Sequence, residues 1–577
     1  MQNSITWKIG GEAGFGIMSS GIMLSKIYSR SGYRILCTNE YPSLIRGGLN
    51  LVSVRISTQK VEAMNRDLNI LVALSKLCVE TCKNDLSENA IVVYDPKDGE
   101  WKESDFPKPV KLLPLPLGEI LNKLGAKPIM KNTITIGATL ALLGGDIELL
   151  NQMLKEQFGK KGDEVVNSNI EVAKAGYDYV KENFPNEDSV NLPSGGEPEK
   201  LLVINGSEAV GVAAVRAGLN FAAIYPMTPI NALITFLADH EKQLDIVYTQ
   251  PEDEIAGINM AIGASVAGAR AMVATSGGGF ALMTEALSLA GMAEVPLVID
   301  MGMRVGPASG MPTWTEQGEL DFVIHAGHGE FQRIVLAPGD AEEVFTLTVD
   351  AFNLASVYQV PVFILTDKYL NESQWCVPYE TYAAEVEIKT GKVVKPEELK
   401  EDESFKRYSL DTEDGVSSRS LPGMKYGNYI SHSYEHDEIG LVTEDAEMRV
   451  KMSDKRLKKA EAIKNLAYPP TVYGEEDAEI TFVNWGTTKG PVLEAIELLN
   501  KKKVKANLIH FTWLFPFPQK VEELLKKAKR LVLVEQNSTA QLGGQIRRNT
   551  GIDIEEKLLK YDGRPFFPEE IVERINL

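Results

Sequence analysis

The chain has 577 residues, of which 44% are hydrophobic and 24% are charged. This composition is that of ordinary globular domains and excludes a disordered or collagen-like chain. The 60 basic and 80 acidic residues give a formal net charge of −20, which disfavours general nucleic-acid binding because that function needs basic surface to displace counterions from phosphates. At roughly 150 residues per domain, the length predicts about four domains.

The four cysteines are too few to cross-link a chain of this length, and their spacing does not match a metal cluster. Iron–sulfur clusters use closely spaced cysteine runs, whereas here only Cys78 and Cys82 are near each other. We therefore expect reduced thiols in a cytoplasmic protein. The long apolar stretches 256–275 and 281–303 contain charges and many glycines, so neither is expected to span a membrane, and no secretory signal is recognised.

Strand-like and helix-like segments alternate from the start of the chain. A strand at 5–10 runs into the glycine-rich segment 10–16, and a helix is expected over 17–29. Later segments of this part are strands at 51–56, 68–73 and 90–94 and a helix at 135–143. We assign residues 1–185 to a first α/β domain and the polar residues 186–199 to a linker.

The alternation restarts at Leu201 and is clearer there. Strands are predicted at 201–204, 222–225, 244–248, 271–275, 295–301, 332–336 and 361–365, with helices between them. This pattern predicts a mostly parallel sheet covered on both faces, over residues 200–376. Residues 377–475 form a polar connector with a helix at 446–466, and a last domain covers 476–577. The fold class is therefore α/β, with three doubly wound, mostly parallel sheets and a connector.

Two loops of the first domain are candidates for phosphate binding. Gly11, Gly14 and Gly16 follow the first strand in the segment GGEAGFG, where backbone N–H groups can approach an anion at a helix N-terminus. The segment matches neither GxGxxG nor a Walker motif, so a tight structural turn is an equal alternative. In the second loop, Arg46 precedes Gly47 and could clamp a phosphate bidentately or form a surface salt bridge.

Two further candidates follow consecutive strands of the second domain, at the edge where doubly wound sheets bind ligands. In the loop 225–229, two prolines constrain the backbone and present the hydroxyl of Thr228. After the next strand, three acids occupy 252–254. They could simply complement a helix dipole, but Glu254 leads into an apolar helix of small residues, where a buried carboxylate would need a partner.

The next two strands also end in polar loops. Residues 275–280 read TSGGGF and offer backbone N–H donors. Arg304 follows the next apolar strand, and residues with hydroxyl groups, such as Thr313, come after it. A cation with nearby hydroxyls is the arrangement that a carboxylate substrate requires. Four such loops at one sheet edge favour a binding site over four unrelated turns.

Together these segments resemble the 2-oxoacid:ferredoxin oxidoreductases, thiamine-diphosphate enzymes that convert 2-oxoacids to acyl-CoA by oxidative decarboxylation. The glycine-rich start and EYPSLIRGG are similar to the family's gamma domain. The segments that resemble its alpha subunit are YPMTP, QPEDEIAGINMAIGAS, TSGGGF, MRVGPASGMPT, SYEHDEIG, TEDAEMR, NWGTTKG and VEQNSTAQL. The resemblance covers nearly the whole chain. It implies a gamma domain, a pyrimidine-binding domain and a transketolase C-terminal-like domain, as in two-subunit members that often use 2-oxoglutarate or several 2-oxoacids.

The resemblance also implies roles for particular residues. Glu254 matches the glutamate that hydrogen-bonds the aminopyrimidine of thiamine diphosphate and so promotes loss of the thiazolium proton. The remaining matches are Thr228, Arg304 and Thr313 for the substrate, Tyr225, Pro226, Ser276 and Gly277 for the cofactor, and Gly11, Gly14, Gly16, Arg46 and Gly47 for CoA or a phosphate. The chain departs from relatives at Met227, Gly278 and Leu49, which loosens any inference about the substrate.

One motif of thiamine-diphosphate enzymes is missing from the chain. The sequence contains no GDG segment for Mg²⁺ and the diphosphate, and no cysteine set for a cluster. The resemblance therefore implies a beta subunit that brings Mg²⁺ binding and a [4Fe–4S] cluster, within an (αβ)₂ heterotetramer. Ferredoxin would accept the electrons and CoA the acyl group. No nucleic-acid or membrane partner is expected.

Histidines form two sets whose role the sequence leaves open. His325 and His328 flank glycines and could line a path for substrate or CoA. His432, His436 and Asp437 lie in the polar connector, where a surface or interface position is favoured over a metal site. No metal site is expected in this chain.

Three functions are consistent with these observations. The first is a catalytic alpha subunit acting on 2-oxoglutarate with a beta partner. The second is the same chemistry on pyruvate or several 2-oxoacids. The third, of another class, is a non-catalytic assembly subunit that binds CoA or a nucleotide.

Overall fold

The computed structural model describes residues 4–12, 16–44, 47–97, 101–107, 109–184, 192, 200–401 and 403–575. The chain forms two compact units. One consists of Met1–Ile204, Ser373–Glu380 and Phe567–Glu569, and the other of Asn205–Glu372, Thr381–Phe566 and Glu570–Leu577. Among the described residues, no helix combines the length and the apolar composition needed to cross a membrane.

The first unit is built on an eight-stranded sheet. Its elements in chain order are β1 (Ser4–Glu12), α1 (Ile17–Arg30), β2 (Arg34–Glu40), β3 (Leu49–Ser57), β4 (Leu68–Ala73), α2 (Lys76–Cys82), β5 (Leu86–Tyr94), β6 (Lys111–Pro114), α3 (Leu117–Leu124), α4 (Lys131–Leu142), α5 (Ile147–Phe158), α6 (Asp163–Asn183) and β7 (Leu201–Asn205). The strand order is β6-β5-β4-β1-β3-β2, followed by the strand Gln374–Pro378 and then β7.

This first sheet is mixed in direction. Strands β6, β5, β4 and β1 are parallel neighbours, whereas β3 pairs antiparallel with both β1 and β2. Helices α4 and α6 cover it and approach each other closely, because Gly137 and Gly176 lie at their contact. A Cβ atom on Gly137 would lie 1.9 Å from the carbonyl oxygen of Ala173. Helix packing therefore requires a glycine at Gly137.

The second unit contains two further sheets, whereas the later strand Gln374–Pro378 belongs to the first sheet. The remaining elements in chain order are α7 (Gly206–Arg216), β8 (Phe221–Ala223), α8 (Asn231–Leu244), β9 (Val247–Thr249), α9 (Glu254–Val266), β10 (Ala271–Thr275), α10 (Gly277–Met292), β11 (Leu297–Met303), α11 (Leu320–His325), β12 (Ile334–Leu336), α12 (Ala341–Tyr358), β13 (Pro361–Asp367), α13 (Lys368–Glu372), β14 (Gln374–Pro378), α14 (Tyr379–Ala383), α15 (Ala446–Leu466), β15 (Thr471–Gly474), β16 (Ile480–Trp485), α16 (Lys489–Lys501), β17 (Ala506–Phe511), β18 (Trp513–Phe515), α17 (Val521–Lys527), β19 (Leu531–Glu535), α18 (Gln541–Thr550), β20 (Glu556–Leu559) and α19 (Pro568–Arg574).

Both sheets of the second unit are mostly parallel. The seven-stranded sheet has the order β18-β12-β13-β11-β10-β8-β9, and the five-stranded sheet has the order β15-β17-β16-β19-β20. Strands β10, β11 and β13 are buried along their whole length, as expected for parallel strands covered by helices on both faces. The sequence prediction of an α/β fold with three sheets is confirmed; the two sheets of the second unit are mostly parallel, and the sheet of the first unit is parallel from β6 to β1.

Some elements differ from their predicted bounds. The segment 244–248 was expected to be a strand, but α8 extends to Leu244 and β9 begins only at Val247. Residues 276–279 were expected to be a loop, but α10 already begins at Gly277. Strand β7, with which the predicted second domain begins, lies at the edge of the first sheet.

Candidate functional site

Four loops meet at one edge of the seven-stranded sheet. They follow β8, β9, β10 and β11, which are parallel neighbours in the order β11-β10-β8-β9. Because parallel neighbours end at the same edge, the strand order gathers the loops at the carboxyl edge of the sheet, where α/β proteins bind ligands. These loops carry the substrate and cofactor residues that the sequence analysis named in this region.

Glu254 is the first residue of α9, and only 4% of its surface is exposed. The preceding residue, Asp253, caps the helix, because its side chain accepts a hydrogen bond of 2.8 Å from the N–H of Ala256. No described residue hydrogen-bonds to the carboxylate of Glu254. Of the three acids in this loop, Asp253 therefore serves the helix, whereas Glu254 is a buried acid available to a ligand.

The Glu254 carboxylate packs against the first turn of α10. A Cβ atom on Gly279 would lie 2.5 Å from Glu254 Oε1 and 2.2 Å from Thr275 Oγ1. Residues 277–279 are thus helical rather than a loop. Because Gly279 has no side chain, it leaves room for the Glu254 carboxylate. The first N–H groups of a helix have no intrahelical partner and favour negative charge.

Ser276 precedes α10 and is fully buried. Its Oγ atom has no hydrogen-bond partner among the described residues. A buried hydroxyl without a partner is costly, so a bound group with a polar atom in this place would relieve that cost. The next residue, Gly277, also lacks space for a side chain, since a Cβ atom there would lie 2.6 Å from Glu319 Oε1.

The structure brings two predicted substrate residues into direct contact. Arg304 Nη1 donates a hydrogen bond of 2.8 Å to the carbonyl oxygen of Thr228. Burial lowers the pKa of Arg304, and nearby Glu319 partly opposes that effect. In the same loop, Tyr225 is half-buried and Pro226 is exposed. The Thr228 loop and the Arg304 loop therefore form one surface at the sheet edge.

Thr313 belongs to the loop that begins with Arg304. This loop folds back on itself, because Val305 forms a β-bridge with Met311 and its N–H donates to the carbonyl of Trp314 at 3.2 Å. Thr313 is 5% exposed. The fold-back thus returns Thr313 towards the sheet edge at which the loop starts.

Two acids near this edge were not singled out from the sequence. Burial, reinforced by Glu316, raises the pKa of Glu319 to about 8, and Arg304 opposes the shift. Asp300 is fully buried in β11, and burial raises its pKa to about 7. An acid inside the apolar strand LVIDMGM is a signal that could have identified Asp300, whereas Glu319 lies in a polar loop without such a signal.

Only part of the predicted CoA or phosphate site can be located. Gly14 and Arg46 lie outside the described residues. Gly11 belongs to β1, and Gly16 caps α1 with φ +70°, a conformation that favours glycine. Gly47 also has a positive φ, +77°, and is exposed. Of the glycine-rich segment, the structure therefore shows a left-handed glycine at Gly16, and CoA binding there stays a prediction.

The histidines have backbone and side-chain partners. His325 lies within hydrogen-bond distance of the carbonyl of Asp321 and of Arg548 Nη1, at 2.8 and 3.0 Å. His328 lines a cavity of about 310 Å³ together with residues of α10 and α15. His432 and His436 hydrogen-bond to backbone carbonyls of the connector. Within the described ranges, no three His, Cys, Asp or Glu side chains are arranged as a metal site.

Three family models match successive parts of the chain. Residues 6–179 match pyruvate ferredoxin/flavodoxin oxidoreductase, and residues 212–455 match the thiamine-diphosphate-binding part of pyruvate flavodoxin/ferredoxin oxidoreductase. Residues 478–571 match core domain II of pyruvate:ferredoxin oxidoreductase. The four loops of the carboxyl edge thus lie in the thiamine-diphosphate-binding part.

Relatives of similar length carry related names. The chain is 32% identical to 2-oxoacid:ferredoxin oxidoreductase 2, subunit alpha, of Aeropyrum pernix, over 98% of this chain and 96% of that protein. It is 25% identical to 2-oxoglutarate oxidoreductase subunit KorA of Mycobacterium tuberculosis, over 98% and 90% of the two chains.

A solved structure resembles the whole chain. It is a 2-oxoglutarate:ferredoxin oxidoreductase from Magnetococcus marinus with 2-oxoglutarate, coenzyme A and succinyl-CoA bound, and it matches with a TM-score of 0.92 and 31% identity over 100% of this chain and 99% of that chain. The sequence resemblance is therefore confirmed over the full length. The chain belongs to the alpha subunits of the 2-oxoacid:ferredoxin oxidoreductases, a family of enzymes.

Proposed function

We propose that the carboxyl edge of the seven-stranded sheet binds the aminopyrimidine end of thiamine diphosphate together with a 2-oxoacid. The observation that carries this proposal is the buried carboxylate of Glu254, which has no partner among the described residues and lies against Gly279. The hydroxyl of Ser276, which has no partner among the described residues, immediately precedes this first turn of α10. The residues present thus suit a polar ring that both donates and accepts hydrogen bonds.

In this proposal Glu254 holds a proton at a ring nitrogen of the pyrimidine. Its burial makes that hydrogen bond strong, because competing water is excluded. Tyr225, Pro226, Ser276 and Gly277 line the remainder of the cofactor site. When bound, thiamine diphosphate supplies a carbon nucleophile for the 2-oxo group and an electron sink for decarboxylation.

The substrate residues are Arg304, Thr228 and Thr313. The guanidinium of Arg304 is half-buried, so it can pair with a substrate carboxylate in a site of reduced water access. The products of the reaction are acyl-CoA, CO2 and reduced ferredoxin. CoA contacts are proposed at Gly11, Gly14, Gly16, Arg46 and Gly47.

The proposed 2-oxoacid is 2-oxoglutarate. The bound ligands of the Magnetococcus marinus enzyme and the name of the Mycobacterium tuberculosis relative support it. Activity on several 2-oxoacids is the alternative, supported by the name of the Aeropyrum pernix relative. The specificity constants kcat/KM for 2-oxoglutarate, pyruvate and 3-methyl-2-oxobutanoate discriminate between them. A preference of about tenfold or more for 2-oxoglutarate, equal to about 1.4 kcal/mol of transition-state binding, is expected, and equal constants would favour the alternative.

We propose a beta subunit as the partner that completes the site. It would hold Mg²⁺, the diphosphate and a [4Fe–4S] cluster, because the sequence lacks a GDG motif and has only four cysteines. Large apolar side chains are exposed on α9 and α10 beside the site, with Ile255 47%, Met260 42% and Leu282 51% exposed. Contact with a partner would remove these side chains from water. An (αβ)₂ heterotetramer that passes electrons to ferredoxin is the proposed assembly.

The test is 2-oxoacid- and CoA-dependent reduction of a low-potential dye by the chain purified with its beta subunit. We expect Glu254→Ala to lower kcat by about 100-fold or more, the scale of a positioned acid–base group. Glu252→Ala is the matched control, because Glu252 is exposed two residues earlier. If Glu254→Ala kept near wild-type activity, Glu254 would have no catalytic role.

A further inference from the structure

A cavity of about 230 Å³ lies at the opposite edge of the seven-stranded sheet. It is bounded by the first residues of β10 and β11, by α12 and by the polar connector. The apolar part of its wall includes Leu297, Phe352, Val393 and Leu421. Two arginines, Arg270 and Arg419, complete the charged part of the wall.

Arg270 immediately precedes β10 and uses only neutral acceptors. Its guanidinium donates to Ser356 Oγ at 2.9 Å, to the carbonyl of Lys389 at 2.8 Å and to Asn353 Oδ1 at 3.0 Å. Its Nε is buried without a hydrogen-bond partner among the described residues. Within the described residues, Arg270 thus has no acidic partner in the cavity wall, and its Nε–H group donates no hydrogen bond.

Arg419 reaches the cavity from the connector and is 9% exposed. Its Nη1 donates to the carbonyl of Ser265 at 3.4 Å, and its buried Nε has no partner in the described part of the chain. Burial, together with the charge of Arg419, lowers the pKa of Arg270 to about 10. The two guanidinium groups are therefore close enough to repel each other.

The positive charge at this cavity is not compensated within the described residues. No described carboxylate lies within ion-pair distance of Arg270 or Arg419. Buried charges are normally paired, and acids outnumber basic residues by 80 to 60 in this chain. An unpaired arginine pair beside a cavity is therefore the arrangement that an anion would complete.

We propose that this cavity binds a small carboxylate with a short hydrocarbon chain. The two guanidinium groups would hold the carboxylate oxygens, and the apolar wall would cover a body of about three to five carbons, since drug-sized ligands need pockets of about 300 Å³ or more. The site is separate from the proposed active site, because the six residue steps from Arg270 to Ser276 along β10 span about 20 Å.

Such a ligand would tie the connector to the sheet. Arg419 belongs to the connector, whereas Arg270 belongs to the sheet edge. An anion between them replaces their repulsion by two attractions. Binding is therefore expected to raise the Tm of the complex.

The test is isothermal titration calorimetry on the chain purified with its beta subunit, with isovalerate, isovaleramide and inorganic phosphate as three probes. We expect saturable binding of isovalerate and no binding of isovaleramide, which has the same shape without the charge. Binding of phosphate as tight as that of isovalerate would overturn the role of the apolar wall. Absence of isovalerate binding would overturn the site.

Substitutions of residues that line the cavity test whether isovalerate binds there. Arg270→Gln and Arg419→Gln are each expected to weaken isovalerate binding by about tenfold or more. Arg333→Gln is the matched control, because Arg333 is buried but does not line this cavity. Thr390→Trp narrows the cavity from an exposed position and gives a second test if an arginine variant fails to fold. Unchanged binding in the folded variants would contradict the proposal.

Discussion

The chemistry proposed for Glu254 depends on what its neighbours do. Asp253 caps α9, so the carboxylate of Glu254 is not needed by the helix. Gly279 has no side chain, so the carboxylate fits against the backbone of α10. Arg304 is likewise held by the carbonyl of Thr228, which orients its guanidinium without neutralising it. Each contact leaves the charge of a site residue available to a ligand.

Neighbouring glycines of α10 give a sharp test of this arrangement. Gly279→Ala is expected to lower kcat by about tenfold or more, because the new Cβ would displace the Glu254 carboxylate and small misplacements of catalytic groups are costly. At Gly278 the atom nearest to a new Cβ is the carbonyl oxygen of Ala308, 3.9 Å away. Gly278→Ala should keep wild-type activity and raise the free energy of unfolding by up to about 1 kcal/mol. Equal kcat values in the two variants would contradict the proposed packing.

The raised pKa of Glu319, about 8 against an ordinary 4.5, predicts a pH dependence of stability. The folded chain keeps this proton over a range in which the unfolded chain has lost it, so stability falls as the pH rises from about 4.5 to about 8. Glu319→Gln cannot ionise and should lose less stability over this range, in Tm measurements at about pH 5 and pH 8. A difference from wild type that does not change with pH would contradict the assignment.

The connector is an integral part of the second unit, although its sequence is polar. Helix α15 contributes Lys455 and Lys459, which both bond to the carboxylate of Glu294 in the turn between α10 and β11. These three side chains are only 2% to 3% exposed. Burial alone would raise the pKa of Glu294, but the two lysines and Arg407 lower it. A single buried acid therefore anchors the helix.

Removing that acid should release the connector helix. Glu294→Gln leaves two buried lysines without a counter-charge, and we expect the free energy of unfolding to fall by about 3 to 5 kcal/mol. Glu285→Gln is the control, since Glu285 is exposed on α10, the helix that precedes the turn of Glu294. Denaturant unfolding followed by circular dichroism measures both. A loss of less than about 1 kcal/mol for Glu294→Gln would show that the anchor is not needed.

At the scale of the molecule, the last two sheets form one body. Strand β18, which lies in the chain between β17 and β19 of the five-stranded sheet, pairs with β12 in the seven-stranded sheet. Lys489 bonds to Asp340 and Glu343, and Glu343 also pairs with His510 at 3.2 Å. The joined strand and the buried charges predict that these two sheets unfold together.

Lys489→Met tests this coupling. It leaves Asp340 and Glu343 buried without their lysine, and we expect a loss of about 3 to 5 kcal/mol in the free energy of unfolding. Lys501→Met, at the exposed end of the same helix, is the control and should be nearly neutral. Calorimetry should show that the second unit unfolds in one transition. Two separate transitions assigned to the two sheets would contradict the coupling.

The sequence by itself determined the elements whose patterns are local. Strands β4 and β10 and helix α15 have the bounds predicted for them, because strand alternation and helix caps are read within one segment. The loop motifs also identified the family and the carboxyl-edge residues. The predicted domain boundaries at 185, 199, 376 and 475, and the roles of the site residues, stay predictions.

Only the tertiary structure decided which distant segments meet. It paired β7 and β14 with the first sheet and β18 with the second, made Gly279 a neighbour of Glu254, and placed Arg270 and Arg419 around one cavity. These contacts join residues far apart in the chain, and no local pattern encodes them. They follow from packing and from the pairing of buried polar groups, which depend on the whole fold.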